Sequence, residues 1–306
     1  MTIDFYKMHG LGNDYVYVDL FAQKIEADWP ELARQVSPRQ FGVGSDGLIL
    51  ICPGQRSAVR MRIFNADGSE AQMCGNGLRC AARYAYEHGL LDRVLGELPE
   101  GLAAAAAGWA LAGGQWRSAP IETRAGILTV ALHVVEGNRV DQVGVDMGRP
   151  ILEAARIPTT FSAEMVVAHP FDLPDGQVRM TCVSMGNPHA VIFTDRLDDV
   201  DLERIGPYIE NHERFPERIN VHFAKALGRD RVKVLTWERG SGRTMACGTG
   251  ACAVAVAGGL EGRLDGAVVA ELPGGELRLL WNRRDDHVYM LGPATIVFEG
   301  TWLGPV

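Results

Sequence analysis

The sequence predicts an α/β protein built from two related halves, because one short unit occurs in it twice. Residues 73–77 read MCGNG and residues 246–250 read ACGTG. Each copy follows a β-rich run and a polar, glycine-containing turn, and each leads into small residues that favour a helix. The length of 306 residues is enough for two medium-sized domains with packed cores. We therefore expect one strand–turn–cysteine–helix unit in each half.

The other elements follow from local patterns along the chain. Apolar or alternating runs predict strands at 15–18, 48–51, 59–64, 127–134, 140–146, 190–193, 232–237 and 295–298. A helix is predicted over 78–89, where it ends at a glycine. The alanine-rich stretch 96–120 has little pattern, and we expect a surface insertion there with one short helix over 103–112. Residues 147–150, MGRP, interrupt the strand pattern and predict a crossing between domains.

Composition and termini exclude several classes of protein. The formal net charge is −8 without a basic block, which argues against a nucleic-acid surface. The N-terminal residues lack the apolar core of a secretory signal, and no run approaches the roughly 18 apolar residues of a membrane span. We therefore expect a cytoplasmic protein whose six cysteines are reduced thiols.

Cofactor and metal motifs are also missing from the sequence. The glycine-rich segment 41–47 is not followed by the Gly-Lys-Ser/Thr of a phosphate loop. The four lysines, at positions 7, 24, 225 and 233, lie outside any motif suited to a pyridoxal Schiff base. Neither repeated cysteine belongs to a C-x-x-C pair or a Cys/His cluster. The sequence thus predicts chemistry without a cofactor or a metal.

The repeated cysteines, Cys74 and Cys247, suggest acid–base chemistry. A helix that begins directly after a cysteine offers unpaired N–H groups and the positive end of its dipole, which favour a thiolate and can hold a substrate carboxylate. Two such bases on opposite faces of one carbon would invert its configuration. A single cysteine of this kind is more often a small buried hydrophobe, and a disulfide between the two is a further alternative.

Polar residues near predicted strand ends are candidate ligand contacts. Asn13 belongs to a turn before a strand, where it either completes the turn or offers its amide to a ligand. His189 follows the Asn187-Pro188 turn and is either structural or placed to protonate or poise a thiol. Asn220 lies at the start of another predicted strand.

Taken together, the motifs at 64–77, 185–189, 213–220 and 237–250 resemble diaminopimelate epimerase over nearly the whole chain. The resemblance implies cofactor-independent interconversion of LL- and meso-diaminopimelate by a two-base mechanism, in lysine and peptidoglycan precursor biosynthesis. It also implies two pseudo-symmetric domains, each a mainly antiparallel sheet wrapped around a central helix, with the active site in the interdomain cleft. The expected domains are residues 1–147 plus 293–306, carrying Cys74, and residues 148–292, carrying Cys247. A homodimer is often found in such proteins.

The resemblance also implies roles for particular residues. Its catalytic set corresponds here to Cys74, Cys247, His189 and Glu238. Its substrate-binding set corresponds to Asn13, Asn65, Gly75, Asn76, Asn187, Asn220, Glu238, Arg239, Gly248 and Thr249. One departure is Gly47, which stands where many members carry a glutamine.

Three other functions stay open at the level of sequence. A proline or hydroxyproline racemase would use a similar cysteine pair but would not need amides and an arginine for a distal charged group. An isomerase of the PhzF kind would share the architecture but not the two cysteines. A non-catalytic amino-acid-binding protein would need the cleft but neither thiol.

Overall fold

The computed structural model describes residues 2–304, which form eighteen strands and five α-helices. The strands are β1 (Ile3–Gly10), β2 (Asn13–Asp19), β3 (Gly47–Pro53), β4 (Val59–Asn65), β5 (Glu70–Ala71), β6 (Gln115–Thr123), β7 (Gly126–Val135), β8 (Arg139–Asp146), β9 (His169–Leu173), β10 (Gly176–Ser184), β11 (Pro188–Phe193), β12 (Asn220–Ala226), β13 (Arg231–Glu238), β14 (Gly242–Arg243), β15 (Ala267–Leu272), β16 (Gly275–Asn282), β17 (His287–Pro293) and β18 (Thr295–Trp302). The helices are α1 (Trp29–Val36), α2 (Gly75–Glu87), α3 (Glu100–Trp109), α4 (Leu202–Glu210) and α5 (Gly248–Leu260), with short 3-10 turns at Ala154–Arg156 and Leu197–Asp199. The polypeptide from 2 to 304 contains no helix long and apolar enough to cross a membrane.

The chain divides into two compact units. The first unit is Met1–Val145 with Leu291–Val306, and the second unit is Asp146–Met290. The C-terminal strand β18 belongs to the first unit because it pairs antiparallel with β1.

In the first unit, antiparallel pairs are joined by two parallel contacts. Strands β18, β1 and β2 are antiparallel neighbours, β2 runs parallel to β3, and β3 pairs antiparallel with β4. Strand β4 then runs parallel to β6, which continues antiparallel into β7 and β8. Helix α2 contacts β1, β2, β3, β4 and β7, so the sheet wraps around it.

The second unit repeats this order. Strands β9, β10 and β11 are antiparallel neighbours, β11 runs parallel to β12, and β12 pairs antiparallel with β13. Strand β13 then runs parallel to β15, which pairs antiparallel with β16. Helix α5 contacts β10, β11, β12, β15 and β16. The two units are therefore pseudo-symmetric, and the predicted fold class is confirmed.

The central position of α5 follows from its composition. Its sequence, GTGACAVAVAGGL, contains no charged residue, and every residue from 250 to 258 is buried. A helix that is apolar on all sides is stable only when other elements surround it. A second apolar layer, around Leu202 and Ile209 of α4, packs against the sheet in the second unit.

The alanine-rich stretch differs from its prediction. Helix α3 runs over Glu100–Trp109 instead of 103–112, and β6 already begins at Gln115. Trp109 is 4% exposed and packs so closely on β8 that a Cβ added at Gly144 would lie 2.7 Å from its ring. The stretch lies at the surface and contains the one short helix that was expected, but the predicted bounds of that helix are wrong, because a run of alanines gives no periodic signal of where the helix begins or which face is buried.

Candidate active site

The first repeated cysteine forms the N-cap of α2. Cys74 has an extended backbone, with φ −138° and ψ 119°, and its Sγ accepts a hydrogen bond from the N–H of Gly77 at 3.4 Å. The same sulfur lies 3.3 Å from Oδ1 of Asn13, to which the thiol donates. Asn76 donates its Nδ2 to that oxygen as well, also at 3.3 Å. Three of the predicted site residues are thus in contact, while their roles stay predictions.

Asp46 determines which way the Asn13 amide faces. Nδ2 of Asn13 donates to Oδ2 of Asp46 at 2.8 Å. Because a carboxylate oxygen accepts, the amide nitrogen must face Asp46 and the amide oxygen must face Cys74. Burial raises the pKa of the Asp46 carboxyl. The sequence analysis missed this residue, whose only signal was its place in the glycine-rich segment 41–47.

A buried phenol borders the same sulfur. Tyr15 is 6% exposed, and this burial raises the pKa of its hydroxyl well above the ordinary value. The negative charge of a Cys74 thiolate raises that pKa further. Tyr15 therefore keeps its proton and stays a neutral neighbour of the cysteine.

The polar turns before the two cysteines are hydrogen-bonded in a comparable way. Asn65, the last residue of β4, donates Nδ2 to Oγ of Ser69 at 3.0 Å. Glu238, the last residue of β13, accepts from the hydroxyl of Thr244 at 2.6 Å. In each unit a predicted site residue at the end of a strand is therefore held by a hydroxyl of the segment that leads from that strand to the cysteine.

The second repeated cysteine is buried at the start of α5. Cys247 is 5% exposed and its Sγ lies 3.6 Å from Oγ1 of Thr249. Burial raises the pKa of the Cys247 thiol well above its ordinary value, and the charge of Glu238 raises it further. The expectation that the helix start would favour a thiolate is wrong for Cys247, because desolvation outweighs the helix N–H groups. At neutral pH this residue is a thiol.

Asn220 connects two turns that carry predicted substrate contacts. It is 3% exposed and donates Nδ2 to the carbonyl of Pro188 at 2.8 Å. Its Oδ1 accepts from the backbone N–H of Arg239 at 2.9 Å. The guanidinium of Arg239 donates to the carbonyl of Glu217 at 2.8 Å. Asn220 thus holds the Asn187-Pro188 turn beside the Arg239 turn, and its direct contact with a substrate stays a prediction.

His189 is engaged at both ring nitrogens. Its Nε2 lies 2.9 Å from Oδ1 of Asn187, and its Nδ1 lies 2.9 Å from Nε2 of His222. Nδ1 of His222 in turn lies 3.0 Å from Oγ1 of Thr236. Burial lowers the pKa of His189 well below its ordinary value, so the ring is neutral. This geometry favours a positioning role for His189 over the expected one of protonating or poising a thiol.

His222 was not singled out from the sequence, although a signal existed. It lies two positions after Asn220 in β12, and residues two apart in a strand share one face of the sheet. Among residues 2–304, no group of three or more His, Cys, Asp or Glu side chains is arranged to hold a metal ion.

The repeated helix with a sheet wrapped around it defines a class of two-unit folds that solved structures share. A hydroxyproline epimerase from Agrobacterium vitis, solved with trans-4-OH-L-proline, has a TM-score of 0.66 at 15% identity, covering 98% of this chain and 92% of that one. A PhzF-family protein from Bacillus anthracis has the same TM-score at 16% identity, covering 99% of each chain. At such identities the likeness establishes the fold.

The sequence identifies the family within this class. The family profile described as diaminopimelate epimerase matches residues 5–103 and 181–297. The diaminopimelate epimerase of Moorella thermoacetica is 47% identical, covering 97% of this chain and 98% of its own. That of Acetivibrio thermocellus is 44% identical, covering 97% of each. The chain belongs to the diaminopimelate epimerase family and is an isomerase.

Proposed function

We propose that the protein interconverts LL- and meso-diaminopimelate by a two-base mechanism in which Cys74 and Cys247 act on the same α-carbon. The observation that carries this proposal is the repeated N-cap cysteine. Each unit has a thiol at the start of its central helix, beside backbone N–H groups that no earlier turn can satisfy. The family membership supports the substrate, and lysine and peptidoglycan precursor biosynthesis follow from it.

The proposed reaction exchanges one proton for another. A thiolate on one face takes the α-proton, so that a C–H bond breaks and an S–H bond forms. The thiol on the opposite face gives its proton to the carbanion, so that a C–H bond forms and a second thiolate remains. In the reverse direction the two cysteines exchange roles. Because Cys247 is a thiol at neutral pH, it is the proton donor in the first turnover of the resting protein, after the base on the opposite face has removed the α-proton.

The carbanion must be stabilised by groups fixed in advance. An α-proton is very weakly acidic, and a protein without an electron sink relies on oriented dipoles in a water-poor site. Gly75 with Asn76, and Gly248 with Thr249, would supply backbone N–H groups to the reacting carboxylate. The distal end of the substrate would be held by Asn65, Asn187, Asn220 and Arg239. Asn13, beside Cys74, and Glu238 would be further substrate contacts.

The proposal extends to cofactor, compartment and assembly. Lys7 is the lysine nearest in sequence to Asn13, and its amine donates to Asp14 and to the carbonyl of Gly44, so it is occupied in ion pairing. We propose activity without pyridoxal phosphate or metal, in the cytoplasm, with a homodimer as the working form.

Proton exchange tests the function directly. The protein, treated with EDTA and supplied with no cofactor, is incubated with LL-diaminopimelate in heavy water. We expect loss of the α-proton NMR signal together with the appearance of the meso isomer. Retention of the α-proton would contradict catalysis, and activity that EDTA abolishes would contradict the absence of a metal.

Cysteine variants test the two-base part separately. Cys74→Ser and Cys247→Ser should each stop epimerisation, because a serine hydroxyl is far less acidic than a thiol. With a β-halogenated diaminopimelate, the two variants should release halide from opposite stereoisomers, since each retains one base. Cys52→Ser is the control, because the Cys52 thiol donates to the carbonyl of Arg60 and a hydroxyl can do the same. Halide release from one shared stereoisomer would indicate a single base.

A further inference from the structure

A line of buried side chains leads from the interior of the second unit to Asn187. Thr236 of β13, His222 of β12 and His189 of β11 are 2%, 0% and 0% exposed. The links are 3.0 Å from Thr236 to His222, 2.9 Å between the two imidazoles, and 2.9 Å from His189 to Asn187. Asn187 lies at the end of this line and is half-buried.

The direction of every hydrogen bond in this line follows from its last member. Oδ1 of Asn187 accepts, so Nε2 of His189 must carry a hydrogen. A neutral imidazole has a single N–H, so Nδ1 of His189 accepts and Nε2 of His222 donates to it. By the same reasoning Nδ1 of His222 accepts, and the donor there is the hydroxyl of Thr236.

Both imidazoles are neutral, as this direction requires. Burial lowers the pKa of His222 to about 3. Burial also lowers the pKa of His189 well below its ordinary value, and His222 and Arg239 contribute to the same direction. Two uncharged rings with one hydrogen each support an uninterrupted line of donation, and the Asn187 oxygen at its end sets the direction from Thr236 to Asn187.

The same orientation leaves the NH₂ half of the Asn187 amide facing outward. A free asparagine amide can present either its oxygen or its nitrogen to a ligand. Here the oxygen is held by His189, so the NH₂ group remains to meet a ligand at the half-exposed end. An NH₂ group donates and does not accept, so it suits a carboxylate and not an ammonium group.

Helix α5 holds the His222 ring in place. A Cβ added at Gly250 would lie 2.2 Å from Cε1 and 2.7 Å from Nε2 of His222. The ring therefore packs directly on the first turn of α5, the helix that follows Cys247. Glycine at position 250 leaves the room that the ring needs, and the ring in turn has little freedom to rotate away from Thr236 and His189.

We propose that Thr236 and His222 are positioning residues that act through His189 to fix Asn187 as a donor to a carboxylate of the substrate. This inference rests on the proposed function in one respect, namely that Asn187 contacts the distal carboxylate of diaminopimelate. It adds two residues that would not contact the substrate themselves. It also states which atom of Asn187 performs the recognition.

The tautomers of the two histidines provide a test that needs no substrate. In ¹⁵N-labelled wild-type protein, long-range ¹H–¹⁵N NMR distinguishes an imidazole protonated at Nε2 from one protonated at Nδ1. We expect His189 and His222 both to be protonated at Nε2, with the His222 signals assigned by their loss in His222→Gln. Protonation of both rings at Nδ1 would reverse the line and overturn the inference.

Kinetics of matched variants test the link to recognition. Thr236→Val removes the first donor, whereas Thr236→Ser keeps it. We expect Thr236→Val to raise KM for LL-diaminopimelate about tenfold, the worth of one hydrogen bond to a charged group, with a much smaller effect on kcat. Thr236→Ser should restore most of the wild-type KM. His222→Gln should stay close to wild type, because its amide can accept from Thr236 and donate to His189, whereas His222→Leu should resemble Thr236→Val.

The outcomes separate this inference from the proposed function. If wild-type protein exchanges no α-proton of diaminopimelate, the proposed function fails, while the tautomer measurement still decides the direction of the line. If wild-type protein is active and Thr236→Val has a wild-type KM, the positioning role is refuted while the function stands. Equal losses of kcat in the valine and serine variants would likewise refute it, since they would indicate damage to packing instead of loss of a donor.

Discussion

Glu210, the last residue of α4, offers the sharpest test of how the second unit holds its predicted substrate contacts. Its side chain is 6% exposed. Oε2 accepts from Nε1 of Trp237 at 2.7 Å, and Oε1 accepts from the backbone N–H of Gly240 at 2.9 Å. Arg218 donates to Oε1 as well, at 3.2 Å. The carboxylate thus anchors both sides of the turn that contains Glu238 and Arg239.

The substitution Glu210→Gln keeps the shape of the side chain but replaces one of its two acceptor oxygens by an NH₂ donor. Glutamine has one acceptor oxygen, so either the Trp237 indole or the Gly240 N–H would face an NH₂ group. We expect the loss of one charge-assisted hydrogen bond at a buried site to lower the free energy of unfolding by about 2 to 3 kcal/mol. For a chain of this size that corresponds to a fall in Tm of roughly 5 °C. KM should rise as well, because the turn carrying Arg239 loses an anchor.

Calorimetry or thermal circular dichroism, together with steady-state kinetics, would measure both effects. Glu203→Gln is the matched control, because Glu203 lies on the same helix in an ion pair with Arg243 that is exposed on both sides. Exposed pairs contribute at most about 1 kcal/mol, so that variant should melt and react like the wild type. A wild-type Tm and a wild-type KM in Glu210→Gln would refute the reasoning.

Two further predictions concern the proposed site. Arg239→Ala should lower kcat/KM by the equivalent of about 2 to 5 kcal/mol, because a carboxylate in a water-poor site would lose its charged partner. Steady-state kinetics with Arg243→Ala as the control would check this, and unchanged constants would remove Arg239 from the site. Glu238→Gln should lower the pKa of Cys247, since the Glu238 charge helps to raise it, although burial would still hold that pKa above its ordinary value. The rate of Cys247 alkylation, followed by peptide mapping across pH, should therefore rise at a lower pH in the variant, and an unchanged profile would contradict the assigned cause.

Local patterns in the sequence were sufficient to predict the repeated unit. A cysteine followed by glycine and a run of small residues predicts a helix start wherever it occurs, and both α2 and α5 begin where that pattern lies. The uncharged sequence of α5 likewise indicates burial on all sides. The alanine run of α3 carried no such signal, so neither its bounds nor the packing of Trp109 on Gly144 was predictable.

The chemical state of the site residues depends on contacts that no local pattern contains. The sequence by itself determined that Cys247 starts a helix, which favours a thiolate. The tertiary structure decided that it is a thiol, because desolvation and the charge of Glu238 at the end of β13 raise its pKa. In the same way, the sequence placed an amide at position 187. Its orientation was decided by His189 and the residues behind it, which the parallel pairing of β11 with β12 brings together from distant parts of the chain.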